Sequence, residues 1–228
     1  MLDRIEQTMN REKQFTSDAS HELRTPVSVI LSECEYMADC ATTDDEYKES
    51  AVSIKNQAEK MSKLISELLM ISRMDKNSLQ LNIEKTDISE LLSFICEEQM
   101  QIHSKDITLN ANIMPDIYAD ADKFLLARLF INLISNAYQY SHAGDEITVT
   151  LTESKDKVIF RVADTGIGIP EDKLSKIWER FYQVDSSRTA SDNNSMGLGL
   201  AMVKEIAKLH NGEVSVTSKA GFGSTFTF

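Results

Sequence analysis

The sequence predicts an α+β fold: an N-terminal helical hairpin that forms a dimeric four-helix bundle, then an α/β sandwich with helices on one face of a mixed sheet. Three observations carry that prediction. Apolar residues recur at alternating spacings of three and four before about residue 75, and with a period of two in several segments beyond residue 145. All eight glycines follow residue 140, whereas residues 1 to 75 hold one proline, Pro26, and no glycine. At 228 residues, with 42% hydrophobic and 26% charged side chains, the chain is long enough for two modest cores.

The hairpin comes first. Tyr47, Ala51, Ile54, Ala58, Met61, Ile65 and Leu68 trace the seam of a packed helix, and Val27, Ile30, Cys34, Met37 and Ala41 repeat the pattern upstream. Between them Asp39 to Glu46 is short, polar and turn-like. Two helices alone leave one flank of each apolar stripe in water, so a second copy is expected to complete a four-helix bundle. The change of period places a domain boundary at 1–76 and 77–228.

In the second region helices are expected over about 86–104, 122–141 and 197–210, the last ended by Asn211-Gly212. Strands are expected where Ile147, Val149 and Leu151 alternate with threonines, at Val158, Phe160 and Val162, at Val214 and Val216, and at Phe226 and Phe228. Asp185 to Ser195 is too polar to pack and reads as a loop.

Charge narrows the function. The chain holds 24 Lys and Arg against 36 Asp and Glu; residues 1–76 carry 10 basic and 15 acidic side chains and residues 77–228 carry 14 and 21. Neither region is basic, which argues against a nucleic-acid partner. Cys34, Cys40 and Cys96 form no CxxC pair and read as buried thiols of a reducing compartment. The most apolar run, Phe124 to Ile134, is broken by Arg128 and Asn132, and no signal peptide is evident, so the chain as given is expected to be cytoplasmic.

Four clusters carry candidate chemistry. His21 lies in SHELRTP with Glu22 beside it, and Pro26 deprives the Glu22 carbonyl of its helical donor, predicting a kink or loosening within a turn of His21. A neutral imidazole is a nucleophile, and a neighbouring carboxylate can take the proton from its other nitrogen; a lone helical histidine is otherwise surface decoration. Asn132 and Asn136 stand four apart on one helix face, either as satisfied amides at a helix edge or as neutral oxygens for Mg²⁺. DTGIGIP, Asp164 to Pro170, follows a strand and offers an acid beside glycines that permit close backbone approach. In MGLGLAMVKEI, Gly197 and Gly199 open a helix whose free N–H groups suit a phosphate. The last two signals are weak alone.

In this order and spacing the clusters resemble the bacterial sensor histidine kinases. SHELRTP resembles the H box, NLISNA the N box, DTGIGIP the G1 box, IWERFYQVD the F box and MGLGLAM the G2 box. The resemblance implies a dimeric phosphoacceptor domain followed by an ATP-binding domain of the kind shared with gyrase and Hsp90. It implies that His21 is the phosphoacceptor, Glu22 its general base and Thr25 the residue that positions water for phosphatase action. It makes Asn136 the Mg²⁺ ligand supported by Asn132, and Asp164 the acid that reads the adenine amino group. Gly166 and Gly168 shape the adenine pocket, Gly197 and Gly199 the phosphate end, and Phe181 anchors a lid from Lys173 to Ser195. Tyr140, Ile169, Leu198 and Leu200 join the nucleotide contacts. Gln139 and Gln183 stand where relatives often have Lys and Arg, and Ser195 and Met196 replace the usual Gly-Thr.

The expected activity is therefore autophosphorylation of His21 from Mg-ATP and transfer to an aspartate of a response regulator receiver domain, with regulator phosphatase activity. A gyrase- or Hsp90-like ATPase would share the ATP motifs but has no use for SHELRTP in a hairpin. A signalling scaffold that binds nucleotide poorly is the third reading. Leu2, Ile5 and Met9 are apolar at near-helical spacing, as in a helix already running toward His21; the resemblance implies a sensor or membrane segment upstream that anchors the whole protein in the bacterial inner membrane.

Overall fold

A computed structural model describes residues 2–75 (side chains from residue 13), 79–103, 106–155, 157–184 and 196–228. The polar stretch 185–195 with Arg188 and Ser195, and the side chains of Leu2, Ile5 and Met9, lie outside the described residues. The chain divides into two compact units, Met1–Leu79 and Gln80–Phe228.

The first unit is a pair of helices, α1 (Leu2–Asp39) and α2 (Asp44–Asp75). The turn between them is shorter than the polar stretch in the sequence because α2 is capped locally. Glu46 N–H donates to Thr43 Oγ1 (3.3 Å), while Glu46 Oε2 accepts from the N–H groups of Thr42 (2.8 Å) and Thr43 (3.0 Å). This reciprocal capping box satisfies orphan donors at the start of α2. The same N–H donors hold the Glu46 carboxyl down at about 2. Helix α1 continues through Pro26 as one element.

The apolar seam is displaced from the one the spacing suggested. The buried positions of α2 are Ser50, Leu64, Ile71 and Met74, whereas Ile54, Met61 and Leu68 are half-buried and Ile65 is 43% exposed. Tyr47 leaves the seam altogether, its hydroxyl donating to the Ala41 carbonyl (3.1 Å) in the turn. Val27, Leu31, Val52 and Leu69 remain exposed, so each helix keeps an apolar flank in water.

The second unit contains α3 (Ile88–Ile102), α4 (Lys123–Gln139) and α5 (Gly199–Leu209). Its main sheet runs β2 (Thr108–Ile113), β4 (Glu146–Ser154), β5 (Lys157–Asp164), β7 (Gly223–Thr227), β6 (Ser215–Lys219). Strands β2 and β4 are parallel and the remaining pairs antiparallel, which makes the sheet mixed. A separate ribbon pairs β1 (Glu84–Asp87) with β3 (Tyr118–Ala121). The alternation seen in the sequence puts Ile147, Val149, Leu151, Phe160 and Val162 in the core. They meet the apolar stripe of α4, with Phe130 and Phe160 ring centroids 4.5 Å apart.

Local chemistry sets the helix ends. Asp87 and Asp122 cap α3 and α4 by accepting from Glu90 and Leu125 N–H, so α3 begins two residues and α4 one residue beyond the expected starts. Helix α5 ends as Asn211-Gly212 indicated, but the left-handed residue is Asn211 (φ 55), with Gly212 N–H donating to the Ala207 carbonyl (2.9 Å). Gly212 is needed for another reason: a Cβ there would strike the Phe228 ring. One expectation is corrected. Only Cys96 is a buried thiol, its pKa pushed up to about 11 by burial; Cys34 is exposed on α1, on a face that the heptad spacing misassigned, and Cys40 is exposed just after that helix.

Candidate functional site

His21 is exposed on α1. Arg24 brings Nη1 to 3.5 Å from His21 Nδ1, and Thr25 Oγ1 lies 3.5 Å from the His21 carbonyl. Residues three and four positions on share a helix face, which is why these two side chains gather at the histidine. Glu22, one position on, projects about 100° around the axis and is exposed. Pro26 is buried, and its missing N–H leaves the Glu22 carbonyl without a helical donor.

In the second unit a cavity of about 470 Å³ opens between the C-terminal end of α4, the loop after β5, strand β7 and residues 177–184. Its size suits a small-molecule ligand. Asp164, the last residue of β5, lines it and is aligned with Ser224 of β7 by the sheet register. Its Oδ1 accepts from Gly166 N–H (3.0 Å) and Ser224 N–H (3.2 Å). Burial pushes the Asp164 carboxyl up; the two N–H donors oppose that shift and the charge of Asp145 adds to it. With both bonds on Oδ1, the other oxygen is available to a ligand donor. Among the described residues lining the cavity there is no Lys or Arg, and Asn136, Gln139 and Gln183 supply neutral amides.

The glycines serve close approach between protein segments. Gly166 lies against the Tyr140 carbonyl, which accepts from Ile167 N–H (3.1 Å), and a Cβ would drive into that carbonyl. Gly168 (φ 64) packs on the Lys219 carbonyl, so its left-handed backbone and its lack of a side chain are both required. Ile169 N–H then donates to Ser218 Oγ (2.7 Å), fastening the DTGIGIP loop to the β6–β7 hairpin. Gly197 is pressed against the Phe181 backbone, whose N–H donates to the Gly197 carbonyl (2.9 Å).

Of the residues singled out by sequence, the cavity gathers Asn136, Gln139, Tyr140, Asp164, Gly168, Ile169, Gln183 and Leu200. Asn132, Gly166, Phe181, Gly197, Leu198 and Gly199 stand outside its lining. Asn132 turns its Nδ2 to the Arg128 carbonyl (2.9 Å), and a Cβ on Gly199 would come to 2.9 Å from its Oδ1. Asn132 and Gly199 therefore meet where α4 and α5 pack. Leu198 is wholly buried at the start of α5 and supplies no side-chain cap, which leaves the first N–H groups of that helix open to an anion. Sequence reasoning missed Ser141, His142, Ile177, Tyr182, Ser224 and Phe226, which also line the cavity. Ser141 and His142 follow directly on the α4 motif, and Ile177 and Tyr182 lie inside IWERFYQVD, so all four were within reach of a quoted motif; Ser224 and Phe226 arrive through tertiary folding.

Residues 11–77 match the family described as His Kinase A (phospho-acceptor) domain. Residues 121–228 match the family described as histidine kinase-, DNA gyrase B-, and HSP90-like ATPase. Sensor protein SrrB of Staphylococcus aureus is 34% identical over 217 residues, which cover 94% of this chain and 37% of SrrB. The chain thus spans little more than a third of the curated relatives it matches. The histidine kinase AdeS of Acinetobacter baumannii superposes with a TM-score of 0.68 at 26% identity, covering 91% of this chain and 95% of that one. A complex of the histidine kinase ThkA with the response regulator protein TrrA gives a TM-score of 0.71 at 21% identity, over 99% of this chain and 65% of that one, and shows the fold.

Proposed function

The chain belongs to the bacterial two-component sensor histidine kinases, carrying their phosphoacceptor and ATPase domains, and from that premise we propose that it autophosphorylates on His21 with ATP and passes the phosphoryl group to an aspartate of a response regulator. The observation that carries the reading is Asp164: a half-buried carboxylate held on one oxygen by two N–H groups, with its other oxygen available in a cavity of nucleotide size. A carboxylate so placed accepts from an exocyclic amino group, as adenine presents.

Residues 1–76 serve as the dimerisation and phosphotransfer domain and residues 77–228 as the ATP-binding domain. Tyr140, Ile169 and Leu200 supply apolar and aromatic walls to the base and sugar, and the open α5 N-terminus faces negative charge. Asn132, Gly166, Gly197 and Gly199 act by packing these segments together. Among the described residues no group of three His, Cys, Asp or Glu side chains is placed to hold a metal. A Mg²⁺ ion would thus take most of its ligands from phosphate oxygens and water, with the Asn136 amide oxygen as the protein's contribution. When bound, it neutralises phosphate charge during transfer.

One imidazole nitrogen of His21 attacks the γ-phosphorus. The N–P bond forms as the bond to the bridging oxygen breaks, ADP leaves with that electron pair, and Glu22 accepts the proton from the other ring nitrogen. Arg24 beside Nδ1 gives the ring a polar neighbour on the same helix face. Thr25 positions water when the regulator is dephosphorylated; the rival role, a hydroxyl bonded to the His21 carbonyl, has only a long 3.5 Å contact behind it. A second copy covers the exposed flank at Val27, Leu31, Ile65 and Leu69. A sensor segment upstream anchors the whole protein in the bacterial inner membrane; among the described residues no helix is long and apolar enough to cross one.

The test is incubation of the 228-residue chain with labelled Mg-ATP and mapping of the label. Acid-labile phosphate on His21, lost in His21→Gln while ATP binding persists, supports the assignment. Label elsewhere, or ATP turnover with no phosphoprotein, favours an ATPase of the gyrase and Hsp90 kind.

A further inference from the structure

Two residues that line the cavity each carry a buried side-chain atom with no hydrogen-bond partner among the described residues: Gln139, at Nε2, and Ser141, at Oγ. An unpaired buried polar group is costly to keep, and one placed on a ligand cavity is explained if the ligand supplies the missing partner. Ser141 is the more informative of the two, because backbone contacts fix which end of the cavity it occupies.

Ser141 follows Tyr140, whose carbonyl receives Ile167 N–H at 3.1 Å. A Cβ on Gly166 would come to 3.1 Å from Ser141 Cα. Gly166 in turn donates its N–H to Asp164 Oδ1. Ser141 and Asp164 thus both stand against Gly166, one through its backbone and one through a hydrogen bond, which places the two residues at one end of the cavity. The two groups are chemically complementary: Asp164 offers an acceptor, and Ser141 offers a donor that χ1 rotation can turn among its three staggered positions. An edge that presents a donor flanked by acceptors satisfies both. The adenine edge does so, its amino group standing between ring nitrogens N1 and N7.

We propose that Ser141 is a base-specificity residue, its hydroxyl donating to a ring nitrogen beside the amino group that Asp164 accepts from. The inference rests on reading the cavity as an adenine-nucleotide site. Asp164 alone tests one position of the base. With Ser141 the site tests two adjoining positions, rejecting bases that lack either the amino donor or the neighbouring acceptor.

The experiment titrates the whole chain and its Ser141→Ala and Ser141→Thr variants with Mg-ATP and with two analogues in which N1 or N7 is replaced by C–H. The parent should prefer ATP over one of the analogues by roughly three- to tenfold, the range of one neutral hydrogen bond. Ser141→Ala should bind ATP more weakly by a similar factor and lose that preference, and Ser141→Thr should keep it. The ligand-free melting temperature of Ser141→Ala should not fall, since the hydroxyl has no protein partner to lose. The analogue that separates parent from Ser141→Ala identifies the ring nitrogen. A parent that binds ATP but treats both analogues like ATP, or a Ser141→Ala variant that weakens all three ligands equally while melting lower, overturns the proposal. A parent that binds no ATP overturns the reading beneath it and this inference too.

Discussion

Asp164→Asn separates the two costs that meet at the cavity. In the parent, Oδ1 accepts from Gly166 and Ser224 N–H at 3.0 and 3.2 Å. Asparagine keeps an oxygen for those donors and places an amide NH₂ where the second carboxylate oxygen stood. That NH₂ meets the adenine amino group donor to donor, and a charge-assisted hydrogen bond of about 1.5–3 kcal/mol is lost. The Kd for Mg-ATP should therefore rise roughly ten- to 150-fold. Hypoxanthine carries an oxygen where adenine carries its amino group, so Mg-ITP should lose nothing and the preference between the two nucleotides should narrow or invert. Stability should move the other way. Burial raises the Asp164 pKa, so the folded state holds this proton more tightly than the unfolded chain. Ionisation then opposes folding as pH rises through the ordinary carboxylate value of about 3.9, and the penalty is complete above the folded pKa. The asparagine side chain does not ionise and carries no such penalty, so without nucleotide the variant should gain melting temperature relative to the parent on going from about pH 3 to about pH 7. Calorimetric titration with both nucleotides and thermal scans at the two pH values provide the measurements. An ATP affinity within about threefold of the parent, or equal losses for ATP and ITP in a folded variant, would refute the role given to this carboxylate.

Three further outcomes are expected, one at the site and two at the hairpin. Gln139→Lys and Gln183→Arg put cations where the described lining has none, so each should tighten Mg-ATP more than Mg-ADP, with a salt-sensitive gain; unchanged affinities and autophosphorylation rates would show that these positions point away from the phosphates. At the α2 cap, Thr43→Ala should cost about 1 kcal/mol in unfolding free energy measured in urea. Because Glu46 is held at about 2, it supports folding above the ordinary value near 4.3 and loses that support as pH falls from there toward its folded pKa. Glu46→Gln should flatten the acid limb of the melting profile, and an unaltered limb would remove the carboxylate from the cap.

Much of the site was legible because its motifs are local. SHELRTP needs only one helix to bring Arg24 and Thr25 round to His21, and the N box needs only the α4 periodicity to put Asn136, Gln139 and Tyr140 near one end. Strand β2 went unread although Leu109, Ala111 and Ile113 alternate with polar residues: the segment is short and mostly exposed, and its ladder partner is a parallel strand 38 positions along, since Thr108 pairs with Glu146. Heptad spacing located α2, but the burial of Ser50 and Leu64 in place of Ile65 depends on how α1 lies against it. Cys34 shows the same limit.

Periodicity and turn chemistry, which act within a few residues, are enough to locate the five helices, the strands β4 to β7 and the acid, amides and histidine that are candidates for chemistry. What the glycines touch is set by long-range packing. Gly166 answers to Tyr140, Gly168 to Lys219, Gly197 to Phe181 and Gly199 to Asn132, each across a gap in sequence. Ser224 reaches Asp164 through the β5–β7 register. These pairings depend on how β-strands align and helices stack, which is a balance of packing over the whole unit, and a motif carries no record of its distant partner.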